Sequence, residues 1–296
     1  MAMKSVVVGG GTGFIGSHLC GLLKGSGYNV TIVSRMPGLN RMTWHELNEK
    51  GLPKDTVAAI NVAGQNVLDP TRRWSSGFAQ NIWNSRINTT AAFVKAIVAS
   101  NNKPDVFVNV SGVSLYPPND KVYDESFNGE NFDYMSKLCI HWEKAAELPP
   151  GESTRLVRIR TGVVIGRNGG MIKSMKIPFW LGLGGKIGDG KQILPWIHID
   201  DLCELIKFSI ENKHINGVLN GVAPDIITNE EFTKVFSSVM WRPALFTTPA
   251  FVIEKLFGKE RAALLLTGAK IQPKRTLETG FKFKYPKIID ACREVC

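Results

Sequence analysis

Apolar positions along this chain alternate between two textures. Short β-branched runs recur at Val6-Val7-Val8, Val30-Thr31-Ile32-Val33, Thr56-Val57-Ala58-Ala59-Ile60-Asn61-Val62-Ala63-Gly64, Val106-Phe107-Val108-Asn109-Val110 and Leu156-Val157-Arg158-Ile159-Arg160. Each reads as a buried strand. Helical spacing lies between them: Leu19, Leu22 and Leu23 after the first run, then roughly 78–98, then roughly 134–146. Strands that alternate with helices predict an α/β fold, a Rossmann-type doubly wound parallel sheet whose ligands sit at the carboxyl ends of the strands.

Beyond Gly162 the texture changes. Gly182, Gly184, Gly185, Gly188 and Gly190 mark an irregular stretch, Pro195–Leu202 leads into a helix, and Thr228-Asn229-Glu230-Glu231 is a capping-box pattern that opens another. His198 reads as a structural residue before Asp200, which is expected to cap the helix. Residues 1–240 are expected to form the nucleotide-binding domain with substrate-side insertions. Residues 241–296, punctuated by Pro243, Pro249, Pro273 and Pro286, are expected to form a small C-terminal lobe. The chain shows no internal repeat.

The first strand runs directly into Gly9-Gly10-Gly11-Thr12-Gly13-Phe14-Ile15-Gly16. Glycines cluster in many turns, but between a buried strand and a helix each has a distinct use. Gly11 is expected to make the tight turn, Gly13 to let backbone approach a pyrophosphate, and Gly16 to let helix pack on strand. Gly10, Gly13 and the unpaired amides of Phe14 and Ile15 would then face the phosphates.

The second strand selects the dinucleotide. About 20 residues beyond the glycines an NAD site places Asp or Glu, to hold the ribose hydroxyls. This chain has Ser34-Arg35 there, with Arg41 nearby. A hydroxyl and a guanidinium suit a 2′-phosphate, so the expected cofactor is NADP.

The chain has 296 residues, 44% hydrophobic and 21% charged, which fits an ordinary globular α/β protein. No apolar run approaches the roughly 20 residues of a membrane helix, and a strand starting by Ser5 leaves no room for a cleavable signal peptide before it. The net charge of +10 comes from 36 dispersed basic residues without a nucleic-acid motif. Attraction of an anionic cofactor is sufficient reason for it. The expected partner is a small-molecule substrate, with neither nucleic acid nor membrane, and a homodimer stays open. Five cysteines, odd in number and without a CxxC pair, favour reduced thiols in the cytosol or an organelle matrix. The five histidines lack metal-ligand spacing.

Taken in order, the glycine motif, Asn61-Val62-Ala63-Gly64, the Ser111 strand end and the Trp196–Leu202 segment resemble the extended short-chain dehydrogenase/reductase superfamily. Arg72-Arg73-Trp74, Ser85-Arg86, Trp142-Glu143, Leu219-Asn220-Gly221-Val222 and Pro273–Leu277 with Gly280-Phe281 resemble an atypical branch of it, the epimerase family proteins of the 39U type. The resemblance implies an NADP-dependent oxidoreductase of undefined substrate. It further implies cofactor contacts from Val62 and Ala63 beside the adenosine and pyrophosphate, from Asn81 and Arg86, and from Met135 at the nicotinamide end.

Ordinary members pair a Tyr with a Lys four residues later, which lowers the Tyr pKa so that it exchanges a proton as hydride moves. Here the segment is Asp133-Tyr134-Met135-Ser136-Lys137, with Asp133 at the tyrosine position. Tyr134 precedes Lys137 by three residues and is rotated roughly 100° from the expected direction. Candidate proton donors are therefore Ser111 and Tyr116, or Tyr134 if the helix begins late. A non-catalytic NADP(H)-binding sensor or scaffold and a sugar-nucleotide epimerase are the alternatives. The second of these ordinarily needs an intact Tyr/Lys pair.

Overall fold

A computed structural model of the protein describes residues 4–296. The chain runs β1 (Ser5–Gly9), α1 (Phe14–Gly25), β2 (Asn29–Ser34), β3 (Arg41–Thr43), α2 (Trp44–Lys50), β4 (Thr56–Asn61), α3 (Ser76–Ala99) and β5 (Val106–Gly112). It continues through β6 (Val122–Tyr123), α4 (Tyr134–Ala145), β7 (Arg155–Thr161), β8 (Val163–Ile165), α5 (Gly170–Trp180), β9 (Gly185–Ile187) and β10 (Trp196–His198). Then come α6 (Ile199–Glu211), β11 (Gly217–Gly221), α7 (Asn229–Val239), β12 (Phe246–Thr248), α8 (Ala250–Phe257) and α9 (Lys259–Leu266). The last elements are β13 (Lys270–Ile271), α10 (Lys274–Glu278) and α11 (Ile288–Val295).

Seven strands form one sheet in the order β11-β7-β5-β4-β1-β2-β3, every pair parallel. Parallel strands are covered on both faces, which is why their sequences are continuously apolar. In β1, Val6 and Val8 face Leu19 and Leu23 of α1 and Leu202, Leu205 and Ile206 of α6. Val7 points to the other face, where Phe93 and Ile97 of α3 and Leu47 of α2 cover it. All three valines are fully buried, and each such side chain contributes roughly 1.5–3 kcal/mol. The sheet order turns at β1 and β4, so their carboxyl ends open the crevice where such folds bind ligands.

β3 and α2 were not legible as periodic runs. They are three and seven residues long, held by a reciprocal capping box between Thr43 and Glu46. At α6 the expectation is corrected: His198, not Asp200, is the N-cap, its Nδ1 accepting from the Asp200 amide at 3.2 Å. The Thr228 capping box is present as expected.

The carboxyl-terminal 56 residues interleave with the rest. β12 pairs with β9 and β13 with β6, and Ile288, Ala291, Cys292 and Val295 share a cluster with Ile165, Trp196 and Phe232. Among the described residues no helix is long and apolar enough to cross a membrane.

Candidate cofactor site and the closed corner beside it

The glycine-rich turn divides its work differently from the simple motif reading. Gly10, not Gly11, takes the left-handed backbone, at φ 78°. A Cβ on Gly10 would lie 2.7 Å from Ala63 Cα, and one on Gly16 would lie 2.2 Å from the Gly10 carbonyl oxygen. A Cβ on Gly11 would press on Ile32 at 2.9 Å. These glycines are needed for protein packing. Gly13 is different: its Cβ would meet only the Gly10 oxygen, at an ordinary 3.4 Å. The space before Gly13 is open. Gly13 is also the N-cap of α1, where no side chain caps the helix, so the first amides point outward with a partial positive charge.

Two residues of the predicted wall, Val62 and Ala63, pack directly against this turn. The Val62 amide donates to the Gly9 oxygen at 3.0 Å and the Ala63 amide to Asn61 Oδ1 at 3.1 Å, which seats both residues against Gly10. Ile15 is half-buried in the first turn. Ser34 closes β2 with its hydroxyl donating to the Met36 carbonyl at 2.7 Å, while Arg35 and Arg41 are exposed. Among the described residues neither arginine is in an ion pair. Arg86 is drawn down to about 10 by burial. It lies over the Trp142 ring at 5.1 Å and beside Gly64. It donates to the Ile82 carbonyl at 3.2 Å and has no carboxylate partner among the described residues. A partly buried cation without a counter-ion is a natural seat for an anion. Asn81 is exposed on α3, about one and a half turns earlier. Met135 is 4% exposed and packs with Phe78, Ile82 and Leu138, as a core methionine does.

A cavity of about 830 Å³ opens in front of α1, bounded by Thr12, Gly13, Phe14 and Ser17 on one side and Arg167, Asn168, Gly169 and Lys173 on the other. Sequence reading passed over this second wall. Its one signal was the Gly166-Arg167-Asn168-Gly169-Gly170 run. Phe14 explains the glycines, since a Cβ on Gly169 would come within 2.3 Å of its ring. The acids at the edge have hydrogen-bonding partners of their own. Asp200 meets His18 at 2.9 Å and Lys284 at 3.1 Å, and Glu294 meets His198 at 3.0 Å.

The expected proton donors lie in a closed corner at the end of β5. The Ser111 hydroxyl, fully buried, donates to Glu143 Oε1 at 2.9 Å. Arg160 grips Glu143 with Nε and an Nη, at 2.8 and 2.9 Å, and donates to the Tyr116 hydroxyl at 2.9 Å. That hydroxyl donates to Asn220 Oδ1 at 2.7 Å. Tyr116 is 2% exposed, stacked on Phe127. Burial pushes its phenol above the ordinary value, with the Arg160 cation and hydrogen bonds offsetting part of the effect. Burial alone would lower Arg160, but Glu143 reverses this and raises it. The corner is a satisfied network, not an activated phenol.

Asp133 caps α4 in a reciprocal box with Ser136, so the helix does not begin late. The Tyr134 hydroxyl donates to the Ala79 carbonyl at 2.7 Å, and Lys137 is exposed. Tyr134, Ser136 and Lys137 therefore do not meet as a Tyr/Lys pair.

Comparison with known proteins agrees with this layout. Residues 6–220 match the NAD dependent epimerase/dehydratase family, and residues 248–295 match a domain of unknown function, DUF1731. The mouse "epimerase family protein SDR39U1" is 48% identical over 292 residues, covering 98% of this chain and 99% of the relative. The Arabidopsis thaliana "SDR39U1 homolog, chloroplastic" is 34% identical over 311 residues, covering 99% and 87%. The crystal structure of human SDR39U1 with NADPH superposes with a TM-score of 0.96 at 47% identity, covering 98% of each chain. The chain belongs to the NAD dependent epimerase/dehydratase family, within the extended short-chain dehydrogenases/reductases, beside its SDR39U1 members.

Proposed function

We propose that the protein is an NADP(H)-dependent oxidoreductase acting on a small molecule. The observation that carries this reading is the open space before Gly13 at an uncapped helix end, with Arg35, not a carboxylate, ending the neighbouring strand. The human relative's structure with NADPH supports it. Gly10, Gly13, Phe14 and Ile15 would hold the pyrophosphate, with Val62 and Ala63 flanking it. Ser34 and Arg35 would hold the 2′-phosphate, and Arg86 would supply a further anion contact. Asn81 and Met135 remain expected contacts through the family resemblance alone. Bound NADP(H) would supply hydride exchange at its nicotinamide. The division at residue 241 and a cytosolic or organelle-matrix setting belong to the same reading; all five cysteines are free thiols.

A second reading, a cofactor-binding sensor without turnover, is favoured by the corner at Ser111 and Tyr116, whose hydroxyls are spent on Glu143, Arg160 and Asn220. A sugar epimerase is less well served, because it needs the Tyr/Lys pair that this helix lacks. The test is NADPH oxidation across a carbonyl library with wild type, Ser111→Ala, Tyr116→Phe and Tyr134→Phe. Removing a true proton donor lowers turnover about 10²–10⁴-fold with cofactor affinity kept. Oxidation by no carbonyl despite tight NADPH binding would establish the sensor in its place.

A further inference from the structure

Arg86 reaches from α3 to the carboxyl end of β4, where its guanidinium is drawn out of water with no acid beside it. One edge is spent: Nη1 donates to the Ile82 carbonyl at 3.2 Å. The other edge is free. Nε and Nη2 have no hydrogen-bond partner among the described residues, and they lie 3.5 and 3.3 Å from the place a Cβ on Gly64 would take. Glycine at 64 leaves the guanidinium its room, and the Trp142 ring of α4 packs against it at 5.1 Å. The ionisable groups that bear on Arg86 are Cys139 and Tyr134, both on α4. Burial pushes the Cys139 thiol up to about 12 and the Tyr134 phenol above its ordinary value, so neither supplies a negative charge at neutral pH. A cation held this way calls for an anion from outside the chain.

The cofactor, bound as proposed above, keeps its anions on the other side of the crevice. Its pyrophosphate belongs at Gly13 after β1 and its 2′-phosphate at Ser34 and Arg35 after β2, whereas the sheet order puts β4 and then β5 on the opposite side of β1. The half of the cofactor that extends that way, a ribose and a reduced nicotinamide, carries no negative charge. We infer that the anion comes with the substrate: a carboxylate, received by the free Nε–Nη2 edge of Arg86. Two donors in one plane match the two oxygens of a carboxylate, and one buried cation balances one negative charge, where a phosphate dianion would leave an excess. Arg35, Arg41, Arg167 and Lys173 also pair with no acid among the described residues, but they are exposed and keep their water, so burial singles out Arg86. The inference rests on the NADP(H)-dependent reading and narrows its small molecule to a carbonyl compound that bears a carboxylate.

The test is binding to the NADP⁺ complex of the full chain, read by calorimetry and thermal shift. Pyruvate, 2-oxoisocaproate and phenylpyruvate are each set beside the corresponding neutral amide. In wild type at least one acid should bind about tenfold more tightly than its amide, or better. Arg86→Met keeps the side chain's length and strands no carboxylate, so it should bind acid and amide alike with NADPH affinity kept. Arg86→Lys should recover part of the preference, because the charge returns without the fork. If every acid binds like its amide, or none binds while NADPH does, the inference fails and the cofactor reading stands. Loss of NADPH and NADH affinity alike in Arg86→Met also overturns it, since Arg86 would then serve a cofactor oxygen. Wild type that binds no NADPH removes the cofactor reading, and this inference with it.

Discussion

The turn at Gly10–Gly16 and the corner at Ser111–Glu143–Arg160–Tyr116 stand at the carboxyl ends of β1 and β5, two strands separated in the sheet by β4, yet they finish their polar groups in opposite ways. At the turn, a helix start has no side-chain cap, Gly13 faces open space, and among the described residues Arg35 and Arg86 pair with no acid. At the corner every hydroxyl and charge has a partner inside the protein. Unfilled hydrogen-bonding capacity marks a place for a ligand, whereas a filled network marks structure. The contrast teaches which of the two polar clusters leaves hydrogen-bonding groups free for a ligand.

Gly13→Val should give the largest effect. A branched side chain would occupy the open space, so cofactor binding should vanish while circular dichroism stays native. A folded variant still stabilised by NADPH would remove the turn from the site. Across the comparison, Glu143→Gln should do the reverse. It leaves Arg160 buried without its counter-charge, which costs about 3–5 kcal/mol. Denaturant unfolding reads that loss, while NADPH affinity, extrapolated to the folded fraction, should barely move. A loss of affinity larger than the loss of stability would place the corner in the cofactor site after all.

Acid gives a smaller effect at the cavity edge. Burial would raise Asp200, but Lys284, His198 and His18 outweigh it and hold the carboxyl below its ordinary value of 3.8. A depressed folded-state value means stability that is present above the unfolded value and is lost as pH falls below about 4. Asp200→Asn should therefore flatten the acid limb of the stability profile, measured by thermal melts between about pH 3 and 6. A profile unchanged by the substitution would assign the acid limb to other carboxylates.

Much of this architecture was readable from residue order, because buried parallel strands and amphipathic helices leave strong periodic signals. Val6–Val8, the strand–turn–helix passage at Gly9–Gly16 and the strand end at Ser34 were legible as places in the fold. The role of Gly10 was not readable, since φ depends on where Ala63 packs, 53 positions away. Nor was the closed corner. Glu143 entered the sequence reading only as part of the family resemblance and Arg160 only as a strand residue, and it is their meeting across α4 and β7 that makes a pair occupying Ser111 and Tyr116. His198 capping α6 was missed because histidine is an uncommon cap. The Arg167–Lys173 wall depends on a fold-back of the chain against α1.

The central claim is that the open end of this comparison is shaped for a 2′-phosphate, and paired titrations test it most directly. NADPH and NADH are titrated against wild type and Arg35→Ala. The account predicts NADPH tighter than NADH in wild type and a loss of about 1.5–3 kcal/mol, roughly tenfold or more, for NADPH alone in the variant. Equal affinities in wild type, or an unchanged ratio in Arg35→Ala, would contradict it.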